Sequence, residues 1–92
     1  MNKSSKSTVL IADDQADVRE ALRLLLKSEG MACVAVDDPA PALQAVSEHE
    51  FACALIDLNY TRDTTSGEEG LELLEHLRQL APEMPVVVMT AW

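Results

Sequence analysis

Apolar positions along the chain form short unbroken runs that alternate with stripes of helical period. Val9-Leu10-Ile11-Ala12 is the first run, stopped by Asp13-Asp14. Met31 to Val36 is the second, closed by Asp37-Asp38-Pro39; Phe51 to Ile56 ends at Asp57, and Val86-Val87-Val88-Met89 ends at Thr90. Strands that read as continuous apolar runs are covered on both faces, as in parallel sheets. Between the runs the period changes. Val18, Ala21, Leu22 and Leu25 recur at i, i+3, i+4, i+7, which predicts an amphipathic helix, and Gly30 stands where a helix C′ residue belongs. A second helix is expected from about Ala40 to Glu48, with Pro41 in its first turn and Leu43 and Val46 inward. Leu71, Leu74 and Leu77, with Leu73 and Leu80, mark a third whose leucine stripes are expected to be core, before Pro82 and Pro85 bracket a turn. The order β-α-β-α-β-α-β predicts an α/β fold: a parallel sheet, right-handed crossovers and helices on both faces.

The chain of 92 residues leaves room for one domain, expected over residues 8–92 behind a disordered lead at residues 1–7. At this length folding buries roughly 60–65% of the unfolded surface, so the core is modest. Hydrophobic residues make up 48% and charged residues 25%, the balance of a soluble globular domain. Asp plus Glu total 16 against 7 for Lys plus Arg, a net charge of −9. That excess counts against a nucleic-acid or anionic-membrane surface, both of which need a basic footprint. Cys33 and Cys53 are too few for a disulfide scaffold, and the opening residues are polar and basic rather than those of a signal peptide. No apolar run approaches the roughly 18 residues of a membrane helix. The expected setting is reduced and cytoplasmic.

Ligands of open parallel sheets bind beyond the carboxyl ends of the strands. The predicted strands end there in Asp13-Asp14, Asp57 and Thr90, which brings three carboxylates and a hydroxyl to one edge. Each acid alone reads as a helix cap or as surface; Asp37-Asp38-Pro39 fits a capping turn equally well. Clustered carboxylates repel one another, and a hard divalent cation with oxygen ligands, Mg²⁺ foremost, resolves the repulsion.

These segments carry a resemblance. Val9-Leu10-Ile11-Ala12-Asp13-Asp14 with Val18-Arg19-Glu20-Ala21-Leu22 is similar to the opening of a bacterial two-component response-regulator receiver domain. So are Ala54-Leu55-Ile56-Asp57-Leu58-Asn59, Gly70-Leu71-Glu72-Leu73-Leu74 and Pro85-Val86-Val87-Val88-Met89-Thr90-Ala91. The resemblance implies a flavodoxin-like three-layer sandwich with strand order 2-1-3-4. It implies that Asp57 accepts a phosphoryl group from a sensor histidine kinase. Asp13, Asp14, Asp57 and the backbone carbonyl of Asn59 would hold Mg²⁺. Thr90 would be the switch hydroxyl, and Ala91 the small residue that admits the phosphate. Activity would be limited to self-phosphorylation and slow self-dephosphorylation on Asp57, in the service of transcription regulation.

Two features depart from the common receiver pattern. The stretch between Asp57 and Gly70 is long, through Tyr60-Thr61-Arg62-Asp63-Thr64-Thr65-Ser66-Gly67, similar to receivers of transcriptional activators. Arg62 there reads as a solvated side chain, or as one that approaches the phosphoryl group. The chain also stops at Trp92, without the fifth strand, its Lys and the last helices that the resemblance implies. The alternative expectation is therefore a truncated, non-catalytic receiver fragment that forms a homodimer through an open, hydrophobic strand-four edge. In the implied order Cys33 and Cys53 flank the first strand, two strand spacings or roughly 9.5 Å apart, and are expected as buried free thiols. His49 and His76 are expected on the surface.

Overall fold

The sheet is built around β1 (Thr8–Ala12), which has a strand paired on each side in the computed structural model, which describes residues 8–57 and 68–89. β2 (Ala32–Val36) lies on one side and β3 (Cys53–Asp57) on the other; β4 (Val86–Met89) pairs with β3. All pairings are parallel, in the order β2-β1-β3-β4. The helices are α1 (Ala16–Ser28), α2 (Pro39–Glu48) and α3 (Glu68–Leu80). This is the flavodoxin-like order that the resemblance implied, built on the parallel sheet that the alternation of runs and stripes predicted. The lead at residues 1–7 lies outside the described residues.

One face of the sheet carries the main core. Leu10 and Ala12 of β1 and Ala54 and Ile56 of β3 pack against Ala42 and Val46 of α2 and Leu73 and Leu77 of α3. Leu73 and Leu77 are a single i, i+4 pair, which is what one helix stripe presents to a flat sheet. Leu71 and Leu80 fall outside that stripe and are about half exposed, so only part of the expected leucine pattern is core.

The other face is covered more thinly. Val9 and Ile11 of β1 are buried, and α1 contacts β1 and β2. No α1 residue is fully buried; Val18, Leu22 and Leu26 are half-buried, while Ala21, Leu24 and Leu25 are exposed. The inward face thus follows 18-22-26 and not the expected 18-21-22-25. Successive steps of four residues advance about 40° around the helix, so the covered arc is rotated away from Ala21 and Leu25.

Local signals set the helix ends. Gly30 has φ +80°. Its N–H donates to the Lys27 carbonyl at 3.0 Å, and the Met31 N–H to the Leu26 carbonyl at 2.9 Å. That is a Schellman termination, in which the left-handed residue costs glycine little. α2 opens at Asp38 as N-cap with Pro39 in the first turn, one residue before the expected start. Among the described residues no helix is long and apolar enough to cross a membrane.

Candidate functional site

The parallel register places strand ends, and therefore strand-terminal side chains, together. Ala12 is level with Val36 on one side and Ile56 on the other, so Asp13 and Asp57 emerge at the same height of adjacent strands. Asp13 is the first residue after β1, and Asp57 the last of β3, level with Met89 of β4. Asp13 is 4% exposed and Asp57 7%, and Asp14 is half-buried beside them. Carboxylate oxygens of Asp13, Asp14 and Asp57 all lie within 4.8 Å of one another.

The turn that carries the first two acids is held at several points. The Asp13 N–H donates to the Val36 carbonyl at 3.1 Å, extending the β1–β2 ladder one residue past the strand. Its Oδ1 accepts the Gln15 N–H at 2.9 Å, a local turn closed by an aspartate side chain. Its carbonyl accepts from Arg19 Nη1 at 2.8 Å. α1 begins after Gln15, so neither Asp13 nor Asp14 is its N-cap residue.

Burial pushes the Asp13 carboxyl above its ordinary value, opposed by the Gln15 N–H. The Asp57 and Asp14 charges add to the rise, and the Arg19 guanidinium works against it. Three carboxylates clustered this closely form a donor set suited to a hard, oxygen-seeking cation. The structure thus brings together three of the site residues expected from the sequence. Asn59, Thr90 and Ala91 lie outside the described residues, as do Arg62 and the rest of the 60–67 loop and Trp92.

Sequence reasoning missed Arg19. The signal was faint: an arginine in a helical stripe reads as solvated until its side chain is seen to fold back over the preceding turn. The remaining candidates fall elsewhere. His49 and His76 are exposed, His49 with its ring edge-on to Phe51 at 6.4 Å. Cys33 and Cys53 are both level with Val9, on opposite sides of it, and neither forms a disulfide. They are half-buried rather than buried, because α1 leaves part of its face of the sheet open. Burial pushes the Cys33 thiol up; Arg23 lowers it and Glu20 raises it. A cavity of about 620 Å³ lies at the opposite end of the sheet, among Val46, Phe51, Leu80, Met84 and Pro85, away from the acids.

A 2-1-3-4 parallel sheet with an acidic cluster beyond its carboxyl edge defines a flavodoxin-like domain with a strand-end site. The chain belongs to the response regulator receiver domain family, whose pattern matches residues 9–92. It is 29% identical over 87 residues to the transcriptional regulatory protein FixJ of Bradyrhizobium diazoefficiens, covering 95% of this chain and 40% of that protein. It is 34% identical over 83 residues to the two-component response regulator PhoP of Pseudomonas aeruginosa, covering 90% of this chain and 35% of that one. Among solved structures it is similar to a CheY-like response regulator receiver domain protein from Methanospirillum hungatei, with TM-score 0.83 and 27% identity. That match covers 94% of this chain and 65% of the other. The chain therefore spans less than half the length of FixJ and PhoP and about two thirds of the Methanospirillum hungatei chain.

Proposed function

We propose that the domain is the phosphoacceptor of a two-component relay, with Asp57 taking a phosphoryl group from a phosphohistidine of a sensor histidine kinase. The observation that carries this reading is the convergence of Asp13, Asp14 and Asp57 oxygens within 4.8 Å at the carboxyl edge of the sheet. An Asp57 oxygen forms the new O–P bond as the P–N bond to the donor histidine breaks, and the leaving imidazole nitrogen takes a proton. The strand-end position holds the nucleophile at a fixed height, so alignment rather than acid–base chemistry is what the protein contributes. Asp13 and Asp14, with Asp57, are the residues that would hold Mg²⁺. Bound there, Mg²⁺ supplies positive charge that offsets the carboxylates and the phosphoryl oxygens. The Asn59 carbonyl as a further ligand, Thr90 as the switch hydroxyl and Ala91 as the small neighbour complete the reading by resemblance. A cytoplasmic setting and regulation of transcription belong to the same reading.

Incubation with MgCl₂ and acetyl phosphate, read by intact mass, tests it. One phosphoryl increment that disappears in Asp57→Asn is the expected result. No increment, or one that persists in Asp57→Asn, overturns it.

One observation favours a second reading. Among the described residues β4 is an edge strand with Val87 50% and Val88 39% exposed, a surface that a strand of another copy would cover. Light scattering after size exclusion tests pairing of two copies through that edge: a dimer lost on Val87→Lys supports it, and a monomer at all concentrations ends it.

A further inference from the structure

We infer that Arg19 is a positioning residue of the acid pocket, which fixes the Asp13–Asp14 turn in the geometry that receives a divalent cation. The inference rests on the Mg²⁺ reading above.

Arg19 is the fourth residue of α1, yet its guanidinium reaches back to the residue that ends β1. A guanidinium near several carboxylates ordinarily forks onto one of them, because the bidentate charged pair is the stronger bond. Here Nη1 donates instead to the neutral carbonyl of Asp13 at 2.8 Å, and Arg19 forms no ion pair among the described residues. The carboxylate oxygens of Asp13, Asp14 and Asp57 meanwhile converge within 4.8 Å. Arg19 thus spends its hydrogen bond on the backbone of the turn and not on the ligand atoms. With the Asp13 N–H tied to Val36 and its Oδ1 to the Gln15 N–H, the guanidinium bond fixes the remaining backbone polar group of that residue. A site held this way is organised before its ion arrives.

Charge and position predict opposite signs, which makes the role decidable. Arg19 is a cation beside a cation site, so its charge alone opposes Mg²⁺, and removing it would tighten binding. If its hydrogen bond holds the ligands in place, removing it weakens binding.

The experiment titrates MgCl₂ into the metal-free chain and follows the backbone amides around Asp13 and Asp57 by NMR. The hydrogen bond from a charged donor predicts that Arg19→Met weakens Mg²⁺ by about fivefold to tenfold, with Arg19→Lys intermediate. Arg23→Met removes the same charge from the same helix, where Arg23 pairs with Glu20 at 3.1 Å, and is expected to stay within about twofold of wild type. Equal or tighter Mg²⁺ binding by Arg19→Met overturns the inference. Amide exchange of the Gln15 and Ala16 N–H groups provides a readout without metal. It is expected to quicken several-fold in Arg19→Met, and unchanged exchange also overturns the inference. Wild-type chain that takes up no Mg²⁺ defeats the underlying reading instead, and the exchange result still decides whether Arg19 holds the turn.

Discussion

The two faces of the sheet are built to different standards. Under α2 and α3, Leu10, Ile56, Leu73 and Leu77 are sealed from solvent. Over the other face α1 has no fully buried residue, and Leu24, Leu25 and Val87 are 56%, 59% and 50% exposed. Coverage differs: α2 and α3 both pack over one face, and α1 alone leaves the other partly open. Stability is therefore concentrated on the α2–α3 side, while the acid turn depends on the thinly covered side through its connection to α1.

The widest gap between the faces should appear on truncating a leucine. Leu77→Ala opens a cavity in the sealed face and is expected to lose about 2–5 kcal/mol by urea unfolding. A loss below about 1 kcal/mol would mean that the sealed face does not dominate. At Gly30, which ends α1 with φ +80°, a Cβ would meet nothing within 4 Å. Gly30→Ala is therefore expected to cost only the backbone penalty of a left-handed residue, about 1–2 kcal/mol. A larger loss would reveal a steric role for that turn.

Asp13→Asn tests the edge that the faces share. Burial raises the Asp13 carboxyl, so the native state binds the proton more tightly than the unfolded chain. Its ionisation then lowers stability as pH rises above 3.8, the ordinary value. In metal-free buffer Asp13→Asn is expected to be more stable than wild type at pH 7, with the advantage shrinking as pH falls toward 3.8. Thermal unfolding across that range reads it, and an advantage independent of pH would remove ionisation as the cause. The smallest effect belongs to Leu25→Ala, expected within about 0.5 kcal/mol because the side chain is exposed. A loss above about 1 kcal/mol would show that the open face is covered in solution.

These contrasts mark where sequence reasoning succeeds. The strands were legible because each is an apolar run stopped by an acid or a hydroxyl residue, and the parallel order followed from their alternation with helices. The acid cluster was legible for the same reason: Asp13, Asp14 and Asp57 stand at strand ends, which a parallel sheet sets on one edge, and the resemblance supplied the order that makes β1 and β3 neighbours. The α1 face was misread because periodicity gives a stripe but not how much of it a neighbour covers. Leu25 fits the period and still lies outside the contact. Cys33 and Cys53 sit where the strand order puts them, but their half-exposure depends on that same partial coverage. Arg19 was invisible because its role depends on a side-chain path across a turn, which no spacing encodes.

The hydrogen bond from the Asp13 amide to the Val36 carbonyl makes Asp13 at once the last rung of the sheet and the first residue of the site. Occupancy and folding then share one equilibrium. An ion that binds only the native site at a hundredfold excess over its Kd adds about 2.7 kcal/mol to the unfolding free energy. For a small domain with one well-covered face, that increment is a sizeable fraction of a total of about 5–15 kcal/mol. On the proposed reading, free divalent cation would raise the domain's resistance to unfolding at the same edge where Asp57 would take the phosphoryl group.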